Sequence, residues 1–327
     1  MRIAAVAVLI ILAAFGGPPL AGAQPIGKTA RVGIFDGGSS YPERLALWSV
    51  FKRALSEMGY VEGKNVTFEF RWGEGQGERL PQLADELVRA KVDVIVTAGT
   101  PAALAAKRAT PTIPIVLVVA GDPVRTGLAA SLSRPGANVT GLTTLTTELS
   151  AKRLEFLRQI VPTLTKLGVV WDNNPAFTLA VQDTEAAART MNMSIHAAIV
   201  RSRDELDRAF ADFARVPVNA LEVMPTPVGL RERRRVADLA LKYRLPTAFA
   251  QREYVEAGGL MSYGSNLGQL FLRAATYVDK ILKGARPADL PIEQPTTFEL
   301  VINLRTARAL GVTIPPSLQA RADHIVE

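Results

Sequence analysis

Short apolar runs alternate along this chain with longer stretches in which apolar residues recur every three or four positions. The run at 31–35 reads as a strand. The stretch 45–58 reads as a helix, with Leu45, Trp48, Phe51, Leu55 and Met58 on one face and Gly59 as its stop. Strand patterns follow at 65–72, 92–97, 113–119 and 138–143, with helical patterns at 78–90 and from Thr100-Pro101 onward, where proline suits the first helical turn. The alternation then restarts. Strands are predicted at 167–171, 194–200, 220–224, 247–250 and 259–263, separated by helices at 176–191, 203–214 and 230–243. An amphipathic helix at 267–282 stopped by Gly284, a strand at 298–303 and a short helix ending at Gly311 complete the pattern.

Repeated β-α units impose parallel sheets with helices on both faces, because right-handed crossovers pack back onto the sheet. A chain of 327 residues suits two such units better than one, and 146–166 is the candidate junction. The fold class expected is therefore α/β, with two Rossmann-like lobes.

The first residues change the picture of where the protein works. Arg2 precedes an apolar run at 3–15, Gly16-Gly17-Pro18-Pro19 breaks it, and Ala21-Gly22-Ala23 offers small residues before Gln24. That order is the pattern of a secretory signal peptide at 1–23, cleaved after Ala23, and it predicts a periplasmic protein. The apolar run is shorter than the roughly 20 residues a membrane-spanning helix needs. The sequence has no cysteine, so neither a lipid-anchored cysteine, a disulfide framework nor a thiolate metal site is expected. The formal charge of +7 falls to +6 on loss of Arg2. Its densest run, at 231–235, opens a helical pattern and reads as a solvated face, not a nucleic-acid platform.

In open parallel sheets ligands sit beyond the carboxyl ends of the strands. The loops there are rich in small and hydrogen-bonding residues: 36–40, 98–100, Gly121-Asp122, 172–174 and Pro225-Thr226. Helix N-termini in these loops suit a ligand carboxylate, Ser39 and Thr100 could add hydroxyls, and Asp122 could hold an ammonium group. Each residue also has a purely structural reading: Thr100 as a helix cap, Gly37-Gly38 as a turn, Asp122-Pro123 as a turn start. Phosphate-cradling glycine motifs and the nucleophile elbow are missing from the sequence, and His196 and His324 have no partner at ligand spacing. No catalytic activity, cofactor or metal is expected.

Three blocks carry a family likeness. The first runs from Gly121-Asp122-Pro123-Val124 through Gly127-Leu128, Ser131-Leu132 and Arg134-Pro135-Gly136 to Asn138-Val139-Thr140-Gly141. The second is REYVEAGGLMSYG at 252–264. The third comprises ILKG at 281–284, ADLP at 288–291, EQP at 293–295, FELVIN at 298–303 and ALG at 309–311. Together they resemble ABC-transporter substrate-binding proteins of the tryptophan- and tyrosine-binding, TrpX-like kind. The resemblance implies the type I periplasmic-binding-protein fold, with crossings between lobes near 146–150, 259–266 and 291–298. Lobe one would comprise 28–147 plus 262–293, and lobe two 148–261 plus 294–327. It further implies a monomer that closes on a small organic solute, an amino acid or similar, and presents it to an ABC permease in the inner membrane.

The ligand-binding candidates are Gly38, Ser39, Ser40, Gly99, Thr100 and Asp122 from lobe one, with Asn173, Asn174, Thr226, Tyr254 and Tyr263 from lobe two and the crossing. Tyr41 and Phe177 are candidate walls, and Trp48 is read as core. The loop at 36–40 departs from the tryptophan-binding pattern in carrying a carboxylate and few aromatics, which keeps branched or polar amino acids and aromatic degradation products open. An exported ligand sensor or an exported α/β enzyme are the alternative functions.

Overall fold

The computed structural model describes residues 29–327 (the side chain of Thr147 excepted), so the leader at 1–23 and its cleavage point lie outside the described residues. Five strands, β1 (Ala30–Asp36), β2 (Val66–Trp72), β3 (Val94–Ala98), β4 (Ile115–Val119) and β5 (Val139–Gly141), form the first sheet. Its order is β2-β1-β3-β4-β5 and every pair is parallel. Between the strands lie α1 (Pro42–Glu57), α2 (Leu80–Arg89) and α3 (Thr100–Ala109). From α4 (Thr146–Ile160) the chain enters the second unit: β6 (Lys166–Trp171), α5 (Pro175–Thr190), β7 (Ser194–Ile199), α6 (Arg203–Arg215), β8 (Ala220–Val223), α7 (Pro227–Arg231), α8 (Arg233–Lys242), β9 (Thr247–Phe249), α9 (Arg252–Glu256) and β10 (Met261–Ser265). Then come α10 (Leu267–Leu282), β11 (Phe298–Asn303), α11 (Leu304–Leu310), α12 (Pro316–Gln319) and β12 (His324–Val326).

The period-two alternation of β1 explains the layering of the first lobe. Val32 and Ile34 pack with Trp48, Phe51 and Leu55 of α1 and with Phe271, Ala274 and Tyr277 of α10. Phe35 faces the other way, toward Leu83 and Leu87 of α2 and Ala102 and Ala106 of α3. Helix α10 thus belongs to the first lobe although it follows β10 of the second. The second sheet runs β12-β11-β10-β9-β8-β6-β7 and is likewise covered on both faces. Leu154 and Leu157 of α4 and Phe177 of α5 join Val169 on one side, while Phe210, Phe213 and Val236 join Val170 on the other.

Three features differ from the expected pattern. Strand β10 pairs with β9 and β11 in the second sheet, so Ser262–Ser265 stand there and not in lobe one. And β10 and β11 are antiparallel, whereas the other strand pairs are parallel. The cause is the excursion to α10: the chain leaves the second sheet at the end of β10 and re-enters from the same side, so the returning strand must run back. The backbones crowd at this exit. A Cβ on Gly264 would stand 1.9 Å from the carbonyl oxygen of Ala250, which only glycine avoids. The predicted helix at 230–243 also begins earlier and breaks at Glu232, because Thr226 and Pro227 start α7 and the Thr226 hydroxyl accepts the Gly229 N–H at 2.9 Å.

Where the chain first enters the second lobe, Arg153 of α4 is 1% exposed. Its Nε donates to Glu222 Oε1 of β8 at 2.7 Å, Nη1 to the Tyr263 carbonyl of β10 at 3.0 Å, and Nη2 to Ser150 Oγ at 2.6 Å. A buried pair of this kind stabilises little net of desolvation, but losing one partner strands the other charge. Glu222→Gln is therefore expected to destabilise the protein by roughly 3–5 kcal/mol, and Arg153→Met with Glu222→Leu to recover most of that loss. Urea unfolding of the two variants checks both; Glu222→Gln within about 1 kcal/mol of wild type would contradict the pairing.

Candidate functional site

A cavity of about 670 Å³ lies between the two lobes. The loops after β1, β3 and β4 face those after β6, β8 and β9 across it: Gly37 to Ser39, Gly99 to Pro101 and Gly121 on one side, Asp172 to Phe177, Pro225, Ala250 and Gln251 on the other. Crossing residues Thr144, Thr146, Leu149, Arg153, Gly264 and Ser265 supply further lining. Both sheets therefore present their carboxyl edges to one space, as the parallel topology requires.

The first-lobe wall hangs from one buried carboxylate. Asp36 is fully buried at the end of β1. Its Oδ1 accepts the Gly38 N–H at 2.9 Å and Arg44 Nη2 at 3.1 Å, and its Oδ2 accepts Arg44 Nε at 2.6 Å and Trp48 Nε1 at 2.8 Å. Burial pulls the Arg44 guanidinium down, but the charge and hydrogen bonds of Asp36 outweigh it and hold its pKa above the ordinary value. The loop so fixed captures the next one. The Gly73 N–H donates to the Asp36 carbonyl at 2.8 Å, Glu74 to Gly38 at 3.0 Å and Gly75 to Gly37 at 3.2 Å. Asp36 thus points into the protein, so the carboxylate that set this loop apart in the sequence is engaged internally.

Of the residues expected at the site, Gly38, Ser39, Gly99, Thr100, Asn173 and Asn174 line the cavity, as do Tyr41 and Phe177. Ser39 Oγ is buried without a hydrogen-bond partner. Thr100 Oγ1 accepts the Gly121 N–H at 3.1 Å, tying two loops together, and Asn174 caps α5 by accepting the Ala176 N–H at 3.0 Å. Trp48 is core, as read.

Five expected residues lie outside the lining, each for a local reason. Ser40 turns outward to Glu74 at 3.4 Å. Asp122 closes its own turn: Oδ1 accepts the Arg125 N–H at 3.0 Å and its carbonyl accepts that of Thr126, also at 3.0 Å. Thr226 is fully buried as the α7 cap. Tyr254, also fully buried, stacks on Phe249 with centroids 4.5 Å apart. Tyr263 packs edge-on against Phe156 at 5.1 Å.

Conversely, Arg44, Asp172 and Gln251 line the cavity without having been singled out. Asp172 had a signal in its neighbours Asn173 and Asn174. Gln251 had none beyond following a strand. Burial pushes the Asp172 carboxyl up, against the Asn174 N–H that donates to it at 2.9 Å and the charge of Arg201.

The lobes touch around the cavity rim. Arg125 pairs with Asp183 of α5 through Nη1–Oδ2 at 2.6 Å and Nη2–Oδ1 at 3.2 Å. Arg233 of α8 reaches Glu43 of α1 at 2.5 Å and lies over the Tyr41 ring, 5.8 Å from its centroid. Gly75 meets Pro227 so closely that a Cβ on it would be 2.8 Å from the proline Cβ.

The profile of the ABC transporter substrate binding protein family matches residues 39–326. A tyrosine-binding protein of Clostridioides difficile (strain R20291) is 27% identical over 270 residues, covering 80% of this chain and 75% of its own. A conserved domain protein of Vibrio cholerae superimposes with a TM-score of 0.85 at 29% identity, over 91% of this chain and all of the other. The ABC domain from Streptococcus pneumonia in complex with L-Trp gives 0.84 at 25% identity over the same shares.

Two outcomes are expected from this geometry. In Gly75→Val the new side chain enters Pro227 and takes a left-handed φ of 73°, so the lobes should stand farther apart with the fold retained. Small-angle scattering checks this, and an unchanged radius of gyration with native circular dichroism would contradict the contact. Asp172→Asn keeps an acceptor for the Asn174 N–H and removes a charge that burial disfavours. Because the folded-state pKa is raised, the carboxyl favours folding most when protonated, below its unfolded pKa near 4, and that contribution fades as pH rises through the folded value. The variant should therefore melt higher than wild type at pH 7, with the difference vanishing toward pH 3. A lower melting temperature at pH 7 would contradict the reading.

Proposed function

Because this chain belongs to the ABC transporter substrate-binding protein family, we propose that it is the exported component of an importer that captures an amino acid between its lobes. The observation that carries this reading is the cavity of about 670 Å³ lined by strand-end loops of both lobes and by the crossings. Its size lies in the range of roughly 300–1,000 Å³ typical of small-molecule sites. A guest held by both walls stabilises the closed arrangement over an open one by as much as its contacts differ between the two. The closed form is then what a permease in the inner membrane recognises.

The tyrosine named for the Clostridioides relative and the L-Trp of the streptococcal complex support an amino acid as the solute. Gly38, Ser39, Gly99, Thr100, Asn173 and Asn174 line the space it would occupy. The mature protein begins at Gln24 in the periplasm and acts as a monomer. Its lobes divide near 145, 266 and 297, with α10 in lobe one.

The test is a thermal-shift screen of the purified protein against the standard amino acids and aromatic carboxylic acids. A true ligand at about 100 times its Kd adds roughly 2.7 kcal/mol of stability. A melting temperature raised by at least one amino acid, and less so in Ser39→Ala and Thr100→Ala, supports the reading. A screen in which no amino acid moves it would remove that ligand class. Turnover of the solute would replace capture with catalysis, and intact Met1 on cytoplasmic material would overturn export.

A further inference from the structure

We propose that Asp172 anchors a cationic group of the solute, so that the cleft selects ammonium-bearing ligands over bare carboxylic acids. The assignment rests on the capture function above and adds to it the chemical class of the guest.

Of the lining arginines, Arg108 is exposed on the first-lobe wall, whereas the buried Arg44 and Arg153 are each paired with a buried carboxylate, Asp36 and Glu222. Those carboxylates are thereby committed to the protein. Asp172, directly after β6, also lines the cavity, and among the described residues no ion pair engages it. Arg201 on the same wall acts on it only through space, and Arg201 itself is exposed. The other lining carboxylate, Glu78, is exposed on the opposite wall.

A carboxylate drawn from water without a cation is unfavourable, and proteins resolve this by pairing it or by leaving it for a ligand. Asp172 shows that tension, since burial pushes its carboxyl up. A second acceptor stands on the same wall: Gln251 Oε1 is buried and receives no hydrogen bond. Across the cleft, Ser39 offers a buried hydroxyl, equally without a partner. The second lobe thus presents a carboxylate that takes the Asn174 N–H but has no cation, beside an amide oxygen with no donor, and an ammonium group suits both. The sequence had suggested Asp122 for this role. Asp122 is instead held in its own turn by the Arg125 N–H, and Asp172 takes its place.

The experiment is isothermal titration of wild type and Asp172→Asn with matched pairs. L-tyrosine, L-tryptophan, L-phenylalanine and L-leucine are compared with 3-(4-hydroxyphenyl)propionate, 3-indolepropionate, 3-phenylpropionate and 4-methylpentanoate, which lack only the amino group. Wild type should favour the amino acid of the best-bound pair. Asp172→Asn should weaken that amino acid on the order of tenfold to a hundredfold and leave its des-amino partner within about twofold, as expected for one hydrogen bond to a charged group. An unreduced ligand-free melting temperature in the variant shows that the fold is intact. Equal losses for both members, or a des-amino compound that binds wild type as tightly as its amino acid, would overturn the assignment while leaving capture in place. Absence of binding by either series overturns the amino-acid reading itself, and the assignment with it.

Discussion

The buried contact between Arg153 and Glu222 fixes the relation among the parts that make the cleft. Arg153 sits on the helix that first enters the second lobe, Glu222 on a central strand of that lobe, and the Tyr263 carbonyl on the strand where the chain next leaves it. One guanidinium thus holds two of the crossings to the sheet floor. Its planar fork suits the task, because several donors point in fixed directions from a single charge. Asp36 performs the matching duty in the first lobe, gathering Arg44, Trp48 and the Gly38 N–H and so fixing the loop on which the next loop hangs. In both lobes a buried pair adds little net stability but allows few alternative geometries. The walls are therefore set before any guest arrives.

That economy of charge also decides what the cleft can offer a guest. Four arginines line the cavity, Arg44 and Arg153 buried, Arg108 and Arg201 exposed, and a sequence reading would count them as carboxylate receptors. The two buried ones are each engaged by their own acid, so away from the exposed Arg108 and Arg201 the free interactions of the inner walls come from neutral groups and from Asp172. Recognition then depends on a few polar atoms against apolar surroundings such as Phe177, Leu149 and Pro101, the usual composition of a small-molecule site.

The architecture was largely legible because hydrophobic periodicity is a local property. Alternation in β1 and the helical spacing of α1 and α10 each reported a face that is buried, except that Leu45 in the first turn of α1 is exposed. The carboxyl-edge loops were legible for the same reason, since they follow from the ends of the strands. What failed was side-chain direction. Thr226, Tyr254 and Tyr263 occupy the right neighbourhood, but a cap at Gly229 and stacking on Phe249 and Phe156 turn them into the protein. Asp122 and Asp172 are equivalent in the sequence, each just after a strand in a proline-containing loop. A positive φ of 33° and the Arg125 N–H decide the difference, and neither is a property of residue type. The boundary at β10 was missed because its neighbours in the sheet, β9 and β11, are separated from it by loops and by a helix that packs elsewhere.

The rim contacts carry the last consequence for the mechanism. Arg125–Asp183 joins two exposed side chains across the lobes, and Glu43–Arg233 a pair that is partly so. Exposed pairs of this kind contribute about 0–1 kcal/mol each and weaken with salt. They can orient the closing lobes but are too weak to hold them shut against the conformational freedom regained on opening. The Gly75–Pro227 contact is close but small. On the proposed capture function, the free energy that closes the cleft must therefore come mainly from what fills it, chiefly from groups that touch both walls at once. A lobe pair clasped strongly by its own residues would close empty, and a permease could not distinguish it from a loaded one. Weak rim contacts around rigid inner walls would, on that reading, make closure report on the guest.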